Sequence, residues 1–95
     1  MITAIVMVSC DVDRIPEVGQ GIAELEGVTE VYSVTGDADL IAMVRVRDHE
    51  HLADVIADRL NKVDGVARTD THIAFRTYSK RDTEAAFSIG LEGGD

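Results

Sequence analysis

The stretch Val34-Thr35-Gly36-Asp37-Ala38-Asp39-Leu40-Ile41 separates two apolar runs, residues 28–34 and 40–46, and predicts a hairpin between two strands. Glycine adopts the backbone angles that a sharp reversal needs, so Gly36 favours a turn here. Asp37 and Asp39 suit the same turn because an aspartate side chain can bond neighbouring backbone N–H groups. The stretch therefore predicts either a purely structural turn or a turn whose exposed donors and carboxylates hold a small polar ligand.

A strand and a helix are predicted before this hairpin. Residues 2–10 are apolar and rich in β-branched side chains, which favours a buried strand. Apolar residues three and four apart over 15–25 predict an amphipathic helix, with Asp13 as its N-cap and Pro16 in its first turn. Gly27 follows as the residue that ends the helix.

A second helix and a last strand are predicted after the hairpin. Asp48 is a candidate N-cap for an apolar stripe that runs over 52–63 at helical spacing. Residues 66–78 then alternate as a long strand does, with Thr69 and Thr71 on one face and Asp70 and His72 on the other.

A short internal repeat supports this order of elements. Leu25-Glu26-Gly27-Val28-Thr29 and Val63-Asp64-Gly65-Val66-Ala67 share the pattern apolar, acidic, Gly, Val, small, and each joins a predicted helix to a predicted strand. The order β-α-β-β-α-β predicts an α+β, ferredoxin-like sandwich, in which a four-stranded antiparallel sheet carries both helices on one face.

The other face of the sheet is left without a cover. In the third strand, this face carries Ile41, Met43, Arg45 and Arg47. It is half apolar and half basic, which is too apolar for open water and too charged for a core. An interface between two sheets suits it, and a solvent face with stray apolar residues is the alternative. A second chain is the simplest cover, which predicts a dimer of the α/β-barrel kind.

Composition limits the partners and the compartment. The 95 residues make one domain. The net charge of −9 argues against nucleic-acid binding, which needs a basic surface. Cys10 is the single cysteine, which excludes an internal disulfide and fits a reducing compartment. The sequence has no signal peptide and no apolar run that would span a membrane, so we expect a cytoplasmic protein.

The chain divides into a domain, residues 1–79, and a C-terminal tail, residues 80–95. The tail carries Phe87, Ile89 and Leu91 before a Gly-rich acidic end. Such a tail either packs on a neighbouring subunit or frays as a free terminus.

No catalytic, metal or cofactor site is predicted. His49 and His51 are two positions apart at a helix start, so their side chains do not face each other as metal ligands would. Gly19-Gln20-Gly21 lies inside a predicted helix and not in a phosphate-binding loop. Since no nucleophile with a base can be named, we expect a protein that is not an enzyme.

The chain resembles the effector-binding domain of the Lrp/AsnC transcription regulators, the regulation-of-amino-acid-metabolism (RAM) domain. The turn at 34–40 and the strand entry Gly65-Val66-Ala67-Arg68-Thr69-Asp70-Thr71 carry this resemblance, which runs over about residues 2–78. Full-length members carry an N-terminal helix-turn-helix domain, whereas this chain begins at its first strand and is similar to the stand-alone members.

The resemblance implies a dimer with facing sheets, assembly of dimers into octameric rings, and a small effector, usually an amino acid, bound between dimers. It makes full-length relatives candidate partners. From the acidic charge, the lack of a long apolar run and the lack of a cofactor motif, we expect no direct contact with nucleic acid or membrane and no cofactor. The effector-binding residues that the resemblance implies are Thr35, Gly36, Asp37, Asp39, Leu40, Thr69 and Thr71. For the two threonines, ordinary β-branched packing in a strand is the alternative.

Three functions remain open at this point. The first is an amino-acid-sensing, self-assembling module of transcription regulation. The second is a small dimeric ferredoxin-like enzyme such as a cofactorless monooxygenase, which the four aromatic residues of the chain do not favour. The third is an oligomerisation scaffold that binds no ligand.

Overall fold

Within residues 1–80, four strands and two α-helices follow one another in the order that the sequence predicts. The computed structural model describes residues 1–80. The elements are β1 (Ile2–Cys10), α1 (Ile15–Ala23), β2 (Val28–Ser33), β3 (Leu40–Val46), α2 (His49–Ala53) and β4 (Val66–Ala74). The strands form one antiparallel sheet in the order β2-β3-β1-β4. This confirms the ferredoxin-like βαββαβ fold.

Strand β1 lies inside the sheet, and its side chains alternate between the two faces of the sheet. Ala4, Val6 and Val8 are fully buried, whereas Ile5 and Met7 on the opposite face are only half-buried. The helices cover the first face, and their apolar side chains complete the core. The buried helical residues are Val18, Ile22, Leu52, Val55 and Leu60.

The start of α1 differs from the prediction. A single 3₁₀ turn, Val12–Arg14, precedes the helix, and the N–H of Arg14 donates to the carbonyl of Asp11 at 2.9 Å. Asp13 therefore lies inside this turn and is not the N-cap, which is Arg14. Pro16 does lie in the first helical turn, as predicted.

The second helical segment begins as predicted and then changes form. The carboxylate of Asp48 accepts a hydrogen bond from the N–H of His51 at 2.9 Å, which confirms it as an N-cap. After α2 the chain widens into a π-helix, Asp54–Arg59, and ends in a 3₁₀ turn, Leu60–Lys62. The i→i+5 geometry of a π-helix brings Val55 and Leu60 to the same side, and both are buried.

The last strand is shorter than predicted. β4 ends at Ala74 and not at residue 78, because Ala74 already pairs with Thr3 near the first residue of β1. The repeat that joins each helix to its strand is confirmed, since Gly27 and Gly65 have φ angles of 95° and 98°. The apolar tail residues Phe87, Ile89 and Leu91 lie outside the described residues.

Candidate functional site

The turn between β2 and β3 is exposed at its tip and open to a ligand. Gly36 has a φ of 114°, and a side chain at this position would meet no atom within 4 Å. Thr35 and Asp37 on either side of it are also exposed. The turn therefore presents its backbone and one carboxylate to the surroundings.

Asp39 fixes this turn to the end of β1. Its carboxylate accepts a hydrogen bond from the N–H of Cys10, and its own N–H donates to the carbonyl of Val8, both at 2.9 Å. Its carbonyl accepts from the N–H of Val34 at 3.1 Å. Leu40, the next residue, is buried in the core. Asp39 and Leu40 thus hold the turn in position.

A cleft of about 210 Å³ lies beside the turn, on the face of the sheet that no helix covers. Ser9 pairs with Arg68 and Met7 with Asp70, so these side chains share that face. The residues that line the cleft are Met7, Ser9, Asp37, Ala38, Arg68, Asp70 and His72. The cleft therefore joins the turn to the start of β4.

Charges of both signs meet in the cleft. Nε2 of His72 lies 3.3 Å from Oδ2 of Asp70. Within residues 1–80, Arg68 makes no ion pair, and neither does Asp37. A guanidinium binds a carboxylate well, and a carboxylate binds an ammonium group. The cleft can thus hold a small molecule that carries both charges.

The two predicted threonines lie on the other face of the sheet. Thr69 pairs with Val8 and Thr71 with Val6, and both valines are fully buried under the helices. The hydroxyl of Thr69 donates to Oδ1 of Asn61 at 2.6 Å. Neither threonine lines the cleft, so the structure brings together the turn residues but not the threonines.

Of the residues that line the cleft, only Asp37 was among the predicted site residues, and Arg68, Asp70 and His72 are the titratable ones that the sequence prediction did not include. Strand alternation put Asp70 and His72 on one face, which was correct. Their link to Asp37 depends on the pairing of β4 with β1, and no local sequence pattern contains that pairing.

A second opening lies away from the charged turn. Its volume is about 470 Å³, it lies where β3 ends and α2 begins, and Arg47, His51 and Arg59 are among its lining residues. In the described part of the chain, no group of three or more His, Cys, Asp or Glu side chains could hold a metal ion. The longest α-helix there has nine residues, and none is long and apolar enough to cross a membrane.

Residues 3–84 match the family described as the Lrp/AsnC ligand binding domain, and the chain belongs to this family. The fold, the turn and the match agree, and they confirm the resemblance seen in the sequence. The family is one of regulatory ligand-binding domains and not of enzymes, so the enzyme alternative is set aside.

Particular relatives are similar to most of the chain. The protein TTHA0845 from Thermus thermophilus is 48% identical, with a TM-score of 0.78, over 84% of this chain and 100% of its own. A feast or famine regulatory protein from M. tuberculosis, complexed with L-methionine, is 28% identical with a TM-score of 0.70, over 85% of this chain and 55% of its own.

An HTH-type transcriptional regulator of Pyrococcus furiosus is 33% identical over 81 residues, which are 82% of this chain and 54% of the regulator. The chain spans about half the length of the curated regulators that it matches.

Proposed function

We propose that this chain is an effector-binding and self-assembling module of Lrp/AsnC-type transcription regulation, and that its effector is an amino acid. The observation that carries the proposal is the cleft in which Asp37, Arg68 and Asp70 converge beside an open glycine turn. An α-amino acid carries one carboxylate and one ammonium group, which Arg68 and the aspartates respectively complement.

The family relative from M. tuberculosis supports this choice of ligand, because that protein is complexed with L-methionine. In this chain the half-buried Met7 offers an apolar surface within the cleft. Apolar surface next to paired charges is the usual composition of a small-molecule site.

The cleft is completed by a second copy of the chain in this proposal. Ligand pockets usually measure about 300–1,000 Å³, and the cleft of one chain measures about 210 Å³. It also opens on the uncovered face, where Ile5, Met7 and Met43 are half-buried. Pairing of two such faces gives the dimer, and further assembly into an octamer places the ligand between chains.

The role of Thr35 and Gly36 is to offer backbone and hydroxyl groups to the ligand, while Asp39 and Leu40 hold the turn. Thr69 and Thr71 stay predicted contacts, and a ligand that reaches them has to approach from the helix-covered face. The module acts in the cytoplasm, by itself or assembled with full-length relatives that bind DNA.

Thermal unfolding against each of the twenty amino acids tests the proposal. A ligand at about 100 times its dissociation constant adds about 2.7 kcal/mol of stability, which raises the melting temperature of a domain of this size by many degrees. We expect one chemical group of amino acids to give this shift.

Matched variants tie the shift to the cleft. Asp37→Asn and Arg68→Gln remove one charge each from the cleft and should abolish the shift. Asp58→Asn and Arg59→Gln make the same changes at exposed helical positions outside it and should not. If no amino acid stabilises a protein that still assembles, the ligand-free scaffold takes the place of the sensor.

A further inference from the structure

An aromatic, basic arm follows the last strand. We define the arm as residues 75–80. Phe75 and Tyr78 are 98% and 84% exposed, although apolar side chains of this size are usually covered. Arg76 and Lys80 add two positive charges, and the arm has no acidic residue.

An apolar groove lies on the opposite edge of the molecule, between α1 and the edge strand β2. Its volume is about 380 Å³. The residues that line it are Ile15, Pro16, Gly19, Gln20, Ala23, Val31, Ser33 and Leu40. None of these side chains is charged, so the groove suits an aromatic side chain.

The arm of one chain does not fill the groove of the same chain. Ala74, next to the arm, pairs with Thr3, whereas Leu40 in the groove pairs with Val8. Five residues along a strand and two strand spacings across the sheet separate them, which is about 20 Å. Phe75 lies one residue beyond Ala74 and cannot cross this distance.

The charges of the two surfaces are complementary. The segment 11–33, which contains α1 and β2, has a single basic residue, Arg14, and its guanidinium is already paired with Asp64 at 3.1 Å. The acidic residues of that segment are Asp11, Asp13, Glu17, Glu24, Glu26 and Glu30. A basic arm is attracted to such a surface, and a second copy of the chain supplies it.

We infer that the arm of one chain docks in the α1–β2 groove of a second copy, with Phe75 and Tyr78 as its apolar anchors. The contact is head-to-tail and separate from the sheet-to-sheet pairing proposed above. A head-to-tail contact repeats from copy to copy, so it can link dimers into a closed ring.

Sedimentation velocity of the full chain tests this contact with variants of each side. The arm variant is Phe75→Ser combined with Tyr78→Ser. The groove variant is Ala23→Arg, which places a cation where the basic arm would lie. Because Ala23 is exposed and ends α1, where a cation is favourable, the helix should tolerate the change. Ala57→Arg, at an exposed position away from the groove, is the matched control.

We expect both variants to sediment as smaller species than the wild type. Loss of one large apolar anchor weakens association by about tenfold to a hundredfold, so the arm variant, which lacks both anchors, should lose at least that much. Ala57→Arg should behave as the wild type. An equimolar mixture of the arm variant and the groove variant should form a complex, because one intact arm then meets one intact groove.

The inference is overturned if the wild type is monomeric at all concentrations, if either variant keeps the mass of the wild type, or if the mixture does not associate. Amino-acid stabilisation of the wild type reports separately on the cleft. Absence of that stabilisation in a wild type that assembles normally would contradict the proposed ligand site but not the arm contact.

Discussion

The carboxylate of Asp39 accepts a 2.9 Å hydrogen bond from the backbone N–H of Cys10, which lies 29 residues earlier in the chain. Cys10 is the last residue of β1, so its N–H would otherwise lack a partner at the edge of the core. The bond ties the β2–β3 turn to the end of β1. Through it, Asp39 positions Asp37 at the cleft without lining the cleft itself.

Replacing Asp39 tests this role. Asp39→Ala leaves the partly buried N–H of Cys10 unpaired and should lower the free energy of unfolding by about 1–3 kcal/mol. Asp39→Asn keeps an acceptor oxygen and should retain most of the stability. Urea denaturation measures both. Equal stability of the alanine variant and the wild type would show that the bond has no such role.

The thiol of Cys10 should react slowly while the protein is folded. Burial raises the pKa of Cys10, and the carboxylates of Asp39 and Asp11 raise it further. The folded protein therefore keeps the proton at a pH at which the unfolded chain has lost it, so stability is full below about pH 8.5 and falls as the pH rises further. Reaction with a disulfide reagent at about pH 8, near the ordinary thiol pKa, should be far slower than in urea. Rapid reaction of the folded protein would contradict this.

Replacing Gly65 and Gly36 by alanine should distinguish the cost of steric conflict from the cost of backbone strain. At Gly65, with φ 98°, an added Cβ would lie 2.6 Å from Cγ2 of Val18, so Gly65→Ala should cost more than about 2 kcal/mol. At Gly36 no atom lies nearby, so Gly36→Ala should cost about 1–2 kcal/mol through strain alone.

Gly19→Ala is the control for that pair. Gly19 is helical, its added Cβ would contact Leu40 at an ordinary 3.5 Å, and the change should stabilise α1 by up to about 1 kcal/mol. Thermal unfolding of the three variants gives the order of their stabilities. A Gly65→Ala variant as stable as the wild type would contradict the packing argument.

Elements set by local residues could be predicted from the sequence. The turn at Gly36 and the cap at Asp48 each depend on residues within a few positions, and the structure has both. The prediction that Gly27 ends α1 was wrong, because the helix ends at Ala23, and the φ of 95° at Gly27 instead marks the passage into β2. The repeat around Gly27 and Gly65 indicated the order of elements, because each copy marks a passage from helix to strand.

Features that depend on distant partners could not be predicted in this way. The end of β4 at Ala74 follows from the length of β1, and the π-helix brings Val55 and Leu60 to the same buried side. Arg68 enters the cleft because Ser9 pairs with it across the sheet. A register between two strands so far apart in the chain leaves no pattern in either strand alone.

The cap at Asp48 should make the stability sensitive to acid. The backbone N–H of His51, and then its side chain, lower the pKa of Asp48. The stabilisation is therefore present above the ordinary pKa of about 3.9 and lost as the pH falls below it. Asp48→Ala should lower the melting temperature by a few degrees at about pH 7 and by less at about pH 3. Asp48→Asn, which still caps, should remove the pH dependence of this contribution. A difference between Asp48→Ala and the wild type that does not shrink in acid would contradict it.

The uncovered face of the sheet should hold the dimer together. Ile5 and Met43 pair across β1 and β3 on this face, and both remain half-buried in the single chain. Met43→Glu places a carboxylate in the proposed interface, where burial would remove its hydration. We expect dissociation to folded monomers in sedimentation velocity, with the far-UV circular dichroism spectrum unchanged. In the proposed assembly the second copy completes the cleft, so amino-acid stabilisation should be lost together with the dimer. Ala57→Glu, on an exposed helical position, should change neither property. Monomers that still bind the amino acid would show that one chain suffices for the site, and an intact dimer would place the interface elsewhere.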